Sequence, residues 1–94
     1  MVVWSDRAVA ELRALFLRLG GPRTRLAYFV TDRVFGAAEQ SLQQPELGRV
    51  VPEYGDPRYR ELLVEGPRIQ YRAHEDAHIE VAVVWDSRKP LRIG

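Results

Sequence analysis

With 94 residues, the chain has room for one hydrophobic core, burying roughly 60–70% of the surface its unfolded form exposes, and none for a second domain. Apolar residues make up 46% and charged residues 29%, with both signs interspersed, which excludes the composition of a disordered segment. A formal net charge of +1 gives no global reason to expect non-specific binding to a phosphate backbone. There is no cysteine and there are only two histidines, so disulfides are excluded, and neither a metal site nor a cofactor is expected. The longest apolar runs fall far short of the roughly 20 residues that a membrane span needs. The opening MVVWSD has no basic region or cleavage site, so a cytoplasmic protein without a membrane partner is expected. Thirteen of the fourteen cations are Arg, the exception being Lys89. GC-rich coding accounts for such a bias, as would selection of Arg as a bidentate anion ligand.

Met1 to Trp4 reads as a short strand, and Ser5 supplies a hydroxyl suited to cap a helix. From Asp6, the residues Ala8, Leu12, Leu15, Phe16 and Leu19 recur at helical spacing, with Arg7, Glu11, Arg13 and Arg18 on other faces. Gly20-Gly21-Pro22 stops this helix, because Gly permits a left-handed terminal residue and Pro suits the first turn of the next helix. The second helix is predicted from Pro22 to Gln44, apolar on more than one face and ended by Pro45. Gly48, Pro52, Gly55 and Pro57 then predict a long loop from Glu46 to Tyr59. Loops of this length are often functional, although a plain crossover from helix to sheet is equally consistent.

Three extended runs follow, Arg60 to Glu65, Arg68 to Ala73 and His78 to Trp85, joined by Gly66-Pro67 and Glu75-Asp76-Ala77 as an antiparallel meander. Alternation puts Ile69, Tyr71 and Ala73 on one face and Arg68, Gln70 and Arg72 on the other. In the last strand it groups Ile79, Val81, Val83 and Trp85 against His78, Glu80, Ala82 and Val84. The fold class expected is α+β: a short N-terminal strand and a two-helix hairpin packed on an antiparallel sheet through Ile69, Tyr71, Val81 and Val83. Arg68, Gln70, Arg72, His78 and Glu80 are then presented to solvent or to a partner.

The segments VVWSDRAVAEL, QQPELGRVVPE and YRELLVEGPRIQYRAHEDAHIEVAVVWDSRK, in this order and spacing, resemble the RelE/ParE toxin superfamily. The elements that carry the resemblance are Trp4-Ser5 closing the first strand, Pro45 to Gly48 after the hairpin, Arg60-Glu61-Leu62, and Tyr71-Arg72. The resemblance implies the toxin of a type II toxin–antitoxin pair, acting in plasmid stabilisation or growth inhibition, with a cognate antitoxin as partner in a hetero-oligomer. Some relatives cut messenger RNA on the ribosome and others trap DNA gyrase.

Cleavage through the 2′-hydroxyl needs a base, an acid and a cation for the phosphate. Arg68 and Arg88 match the family's phosphate-binding positions, and Arg72 completes the catalytic candidates of the ribonuclease reading. The C-terminal tyrosine of many RNA cutters has no counterpart in LRIG, and Trp85-Asp86 stands where many relatives place a histidine. The resemblance therefore favours the gyrase-directed branch, with Arg88, Lys89 and Arg92 as a cationic target-binding patch in a stretch that holds no acid. The alternatives are a ribosome-dependent ribonuclease and an inactive relative that only binds antitoxin. Phe35, Leu42, Arg68 and Gln70 are the candidate antitoxin contacts. The other polar residues have plainer expected roles. Arg72 and Glu80 read as a cross-strand ion pair, and Arg60 as a fold-stabilising salt bridge. His74 and His78 read as solvated residues beside a turn, and Trp4 and Trp85 as packing.

Overall fold

The computed structural model describes residues 1–86; Arg88, Lys89 and Arg92 lie outside the described residues. Strand β1 (Val2–Trp4) leads through Ser5 into helix α1 (Asp6–Arg18). The Ser5 hydroxyl accepts from the Ala8 N–H at 2.9 Å, satisfying a first-turn donor that the helix cannot. The same hydroxyl donates to the Ala82 carbonyl at 2.7 Å, and the Ser5 N–H binds the Val81 carbonyl. One side chain thus starts the helix and fastens it to the sheet.

Gly20 turns the chain at φ 116°, where a Cβ is disfavoured. Gly21–Arg23 form a single 3-10 turn, and only then does helix α2 (Arg25–Gln43) begin. The start expected at Pro22 is corrected by three residues. Thr24 is extended (φ −123°, ψ 140°) and interrupts the helical path, and its hydroxyl caps the new helix by accepting from Ala27 N–H.

The interval read as a loop holds two short elements, strand β2 (Arg49–Val50) and a 3-10 turn at Pro52–Tyr54. Strands β3 (Tyr59–Leu63), β4 (Arg68–Ala73) and β5 (Ile79–Trp85) make the expected antiparallel meander. The sheet is larger than the meander and mixed, in the order β1-β5-β4-β3-β2, with β1 parallel to β5. Both helices cover one of its faces. Ala8 and Leu15 of α1 and Val30, Val34 and Ala38 of α2 are buried against Ile69, Val81 and Val84.

Val84 in that list overturns the strict alternation expected of the last strand. Gln70 pairs with Val83 but Tyr71 with Val81, leaving Ala82 without a partner. This is a β-bulge, and one inserted residue reverses the facing of everything beyond it. Ile79 and Val81 lie under the helices as expected, whereas Val83 and Trp85 turn to the open face and Val84 takes the core position. The bulge is fixed by two contacts, one from α1 and one from its cap: Ser5 holds the Ala82 carbonyl, and the Glu11 carboxylate accepts the Val84 N–H at 3.1 Å. That N–H lies on the stretch of β5 beyond the end of β1.

Candidate functional site

The residues that carried the family resemblance are grouped around one loop. Tyr71, buried under the helices, accepts the Gly48 N–H at 2.9 Å and donates to the Pro45 carbonyl at 2.8 Å. A Cβ on Gly48 would stand 2.7 Å from the Glu61 carbonyl and 3.0 Å from the Tyr71 ring, so only glycine fits. Arg60, paired with Tyr71 across the strands, donates to the carbonyls of Gly48, Glu46 and Pro57. Arg60 is structural as expected, but its ligands are loop carbonyls and not a carboxylate, which corrects the salt-bridge expectation. These motif residues are scaffold. They fix where β2 meets β3.

The opposite face of the sheet carries the charged chemistry in two clusters, each built around one carboxylate. Glu61 is only 7% exposed. One of its oxygens takes the Nε and Nη2 of Arg49 at 3.0 and 2.7 Å, with Arg68 Nη1 at 3.8 Å, and the other accepts from Gln70 Nε2 at 3.1 Å. Burial pushes the Glu61 carboxyl upward, but the hydrogen bonds from Gln70 and Arg49 and the charges of Arg49 and Arg68 together outweigh it and hold it below the ordinary carboxylate range. Gln70, expected at the surface, is buried because its amide serves this carboxylate.

The second cluster centres on Asp56, which accepts the Arg58 backbone N–H at 2.9 Å and lies near the Arg58 and Arg72 guanidinium groups. That backbone hydrogen bond is the chief cause of its lowered pKa. The expected Arg72–Glu80 ion pair does not form, although the two residues stand opposite each other. Arg72 Nη2 leans 3.7 Å from Asp56, and Glu80 instead meets His74 Nε2 at 3.0 Å. Arg72 Nε is buried without a hydrogen-bond partner among the described residues. His74 and His78 are not independently solvated: their rings stack at 4.1 Å, and His78 Nδ1 bonds Asp76. Among the described residues no group of three or more His, Cys, Asp and Glu is arranged to hold a metal.

Arg68 and Arg72 therefore share the open face, each half-exposed and each touching its carboxylate beyond hydrogen-bonding distance. They retain donors for an anionic partner. Glu61, held as the anion, is a poor proton acceptor near neutral pH. The remaining antitoxin candidates are elsewhere. Phe35 lies on α2, half-exposed against the edge of Trp4, in an apolar groove between the helices with Val9, Leu12 and Phe16. Leu42 is half-buried two turns further on. The helix layer and sheet thus separate Phe35 and Leu42 from Arg68 and Gln70. Reasoning from sequence missed Glu61, Arg49 and Asp56; the signal available was a lone acid at an alternating position of β3, opposite Gln70 once the register is known.

A family profile described as "ParE toxin of type II toxin-antitoxin system, parDE" matches residues 2–91. No curated protein matches the sequence. Among solved structures, the "Chromosomal ParDE TA system from P. aeruginosa" superposes with a TM-score of 0.67 at 20% identity, covering 90% of this chain and 92% of that one. A likeness at that identity speaks for the fold, and the profile match speaks for the family. The chain belongs to the ParE toxin family of type II toxin–antitoxin systems.

Proposed function

We propose that this toxin acts by binding and not by hydrolysis, that its target is DNA gyrase, and that a cognate antitoxin neutralises it in a cytoplasmic hetero-oligomer. The observation that carries the proposal is the open face of the sheet. Arg68 and Arg72 have donors to offer an anion, while Glu61 beside them is fixed as a carboxylate by Arg49 and Gln70. Such a face binds charge without moving protons. Asp86, at the position where many RNA-cutting relatives place a histidine, is ion-paired to Arg18 at 2.7 Å. The apolar groove of Val9, Leu12, Phe16 and Phe35 suits an amphipathic helix of an antitoxin.

Arg88, Lys89 and Arg92 complete the proposal as a target-binding patch in which charge is what matters. The test is growth inhibition by Arg88→Lys and Arg88→Ala, both confirmed folded, scored beside gyrase supercoiling and cleavage of ribosome-bound message. Toxicity kept by Arg88→Lys and lost by Arg88→Ala, with gyrase impaired and message intact, is expected. Equal loss in both with cut message moves the assignment to a ribonuclease, where a bidentate arginine geometry is required.

A further inference from the structure

Arg72 stands on the open face with two carboxylates within reach, and both are engaged elsewhere. Asp56 accepts the Arg58 backbone N–H at 2.9 Å and stands 3.7 Å from Arg72 Nη2. Glu80 is the nearer acid by position, directly opposite Arg72 across the last hairpin, where facing side chains start about 4.5–5.5 Å apart. Its carboxylate nevertheless bonds His74 Nε2 at 3.0 Å. On the other flank Arg72 faces Tyr59, whose phenol burial pushes up to about 12, so it offers no negative charge. Arg72 Nε is left buried with no hydrogen-bond partner among the described residues, although buried donors are nearly always satisfied. Glu80 could supply that partner from across the strand pair. Arg68 is kept in a similar condition by other means, since Arg49 and Gln70 hold Glu61.

The His74 ring is fixed by its surroundings. An ionised carboxylate only accepts, so the ring carries a proton on Nε2 when it bonds Glu80. The His78 ring stacks on it with centroids 4.1 Å apart and planes within 9°, and His78 is itself anchored through Nδ1 to Asp76. Backbone bonds close the turn between them: His74 N–H meets the His78 carbonyl at 3.0 Å, and Ala77 N–H meets the His74 carbonyl at 3.1 Å. Ala77 completes the turn at φ 67°, a left-handed conformation that alanine rarely adopts. A hairpin turn asks for glycine, asparagine or aspartate. It has no use for stacked imidazoles, so the pair calls for another explanation.

We propose that His74 is a positioning residue for target binding: it holds Glu80 away from Arg72 and so keeps that guanidinium available as a cation on the open face. The assignment rests on the reading above, in which the open face meets an anionic group of the target. Without the His74 contact, Glu80 closes on Arg72 across the strand pair, satisfies the buried Nε and neutralises the charge that the target needs. A guanidinium offers its donors in a fixed fork that a carboxylate matches two at a time. An acid tethered one strand away is therefore a strong competitor for any incoming anion, because its effective concentration is high at every concentration of target.

The experiment uses the full-length toxin with purified gyrase and plasmid. Half-inhibition of supercoiling is the functional readout, and the NMR shifts of the Arg72 Nε–H group are the structural one. His74→Ala, confirmed folded by circular dichroism, is expected to raise the half-inhibiting concentration more than about ten-fold, the size of one hydrogen bond to a charged group. It also moves the Arg72 Nε–H signal downfield as Glu80 bonds it. His74→Gln keeps a donor for Glu80 and is expected to stay within about two-fold of wild type. Combining His74→Ala with Glu80→Gln removes the competing charge and restores inhibition, a rescue that a merely structural histidine would not allow. If His74→Ala inhibits gyrase as wild type does, if the double variant is as weak as the single one, or if the Arg72 signal does not move, the positioning role is overturned and the toxin reading stands. If the wild-type toxin leaves gyrase untouched, the gyrase reading falls and takes the positioning role with it.

Discussion

Replacing Tyr71 with Phe removes one oxygen atom and leaves the ring, which is 1% exposed, in place. Two hydrogen bonds disappear with it, from Gly48 N–H at 2.9 Å and to the Pro45 carbonyl at 2.8 Å. The two losses are unequal. Gly48 is buried and its N–H is left without a partner, a penalty of about 1–3 kcal/mol. Pro45 is exposed, so water replaces the phenol at its carbonyl, and that loss is about 0.5–1 kcal/mol. The sum is about 1.5–4 kcal/mol, or a fall in Tm of roughly 6–32 °C for a domain of this size. Thermal unfolding followed by circular dichroism and the urea midpoint at unchanged slope measure it. A loss below about 0.5 kcal/mol would refute the reasoning that this hydroxyl, and not the packing of the ring, ties the Pro45–Gly48 segment to the sheet.

Ser5→Ala removes a helix cap and the bond to the bulge carbonyl, together about 2 kcal/mol; Ser5→Asp keeps an acceptor for the cap but cannot donate to Ala82, and should recover only part of the loss in chemical denaturation. Glu61 has a folded pKa below its unfolded value, so the unfolded chain takes up the proton more readily and the stability that Glu61 contributes above the ordinary carboxylate range is lost as pH falls through its folded pKa. Glu61→Gln is expected to flatten that acid limb, and an unchanged limb in a pH series of denaturation midpoints would count against the buried carboxylate. Burial pushes the Tyr59 phenol up to about 12 from 10.0, so its contribution is complete below pH 10 and is lost as pH rises to about 12. Tyr59→Phe should lose less stability over that window, read from unfolding curves at alkaline pH.

The helices were legible because their apolar residues recur with the helical period and because Ser5 and the Gly20-Gly21-Pro22 sequence mark ends by local chemistry. Alternation in β4 likewise placed Ile69 and Tyr71 under the helices. Where reading failed, a tertiary contact had overridden a local rule. Nothing in HIEVAVVW announces that Ala82 bulges, since the carbonyl of that residue is held by Ser5 from 77 positions away. The same holds for the open face. Arg72 and Glu80 stand opposite each other as expected, yet Arg72 leans toward Asp56 at 3.7 Å and Glu80 bonds His74, because Asp56 and His74 are brought within reach by the loop after the 3-10 turn and by the last hairpin. Glu61 was invisible for a related reason: a strand acid is ordinarily solvated, and only the approach of Arg49 along the two-residue β2 makes a buried one tolerable.

The parallel pairing of β1 with β5 has a temporal side. The first three-residue strand finds its partner only in the last one, so no nascent chain that stops short of Ala82 can seat β1 or supply Ser5 with its carbonyl. At roughly 5–20 residues per second, the helical hairpin exists for seconds before the sheet can close over it. The sheet that presents Arg68 and Arg72 is therefore closed only after β5 has been made. During that interval the apolar inner surfaces of α1 and α2 are open to whatever else is present, including an antitoxin already made.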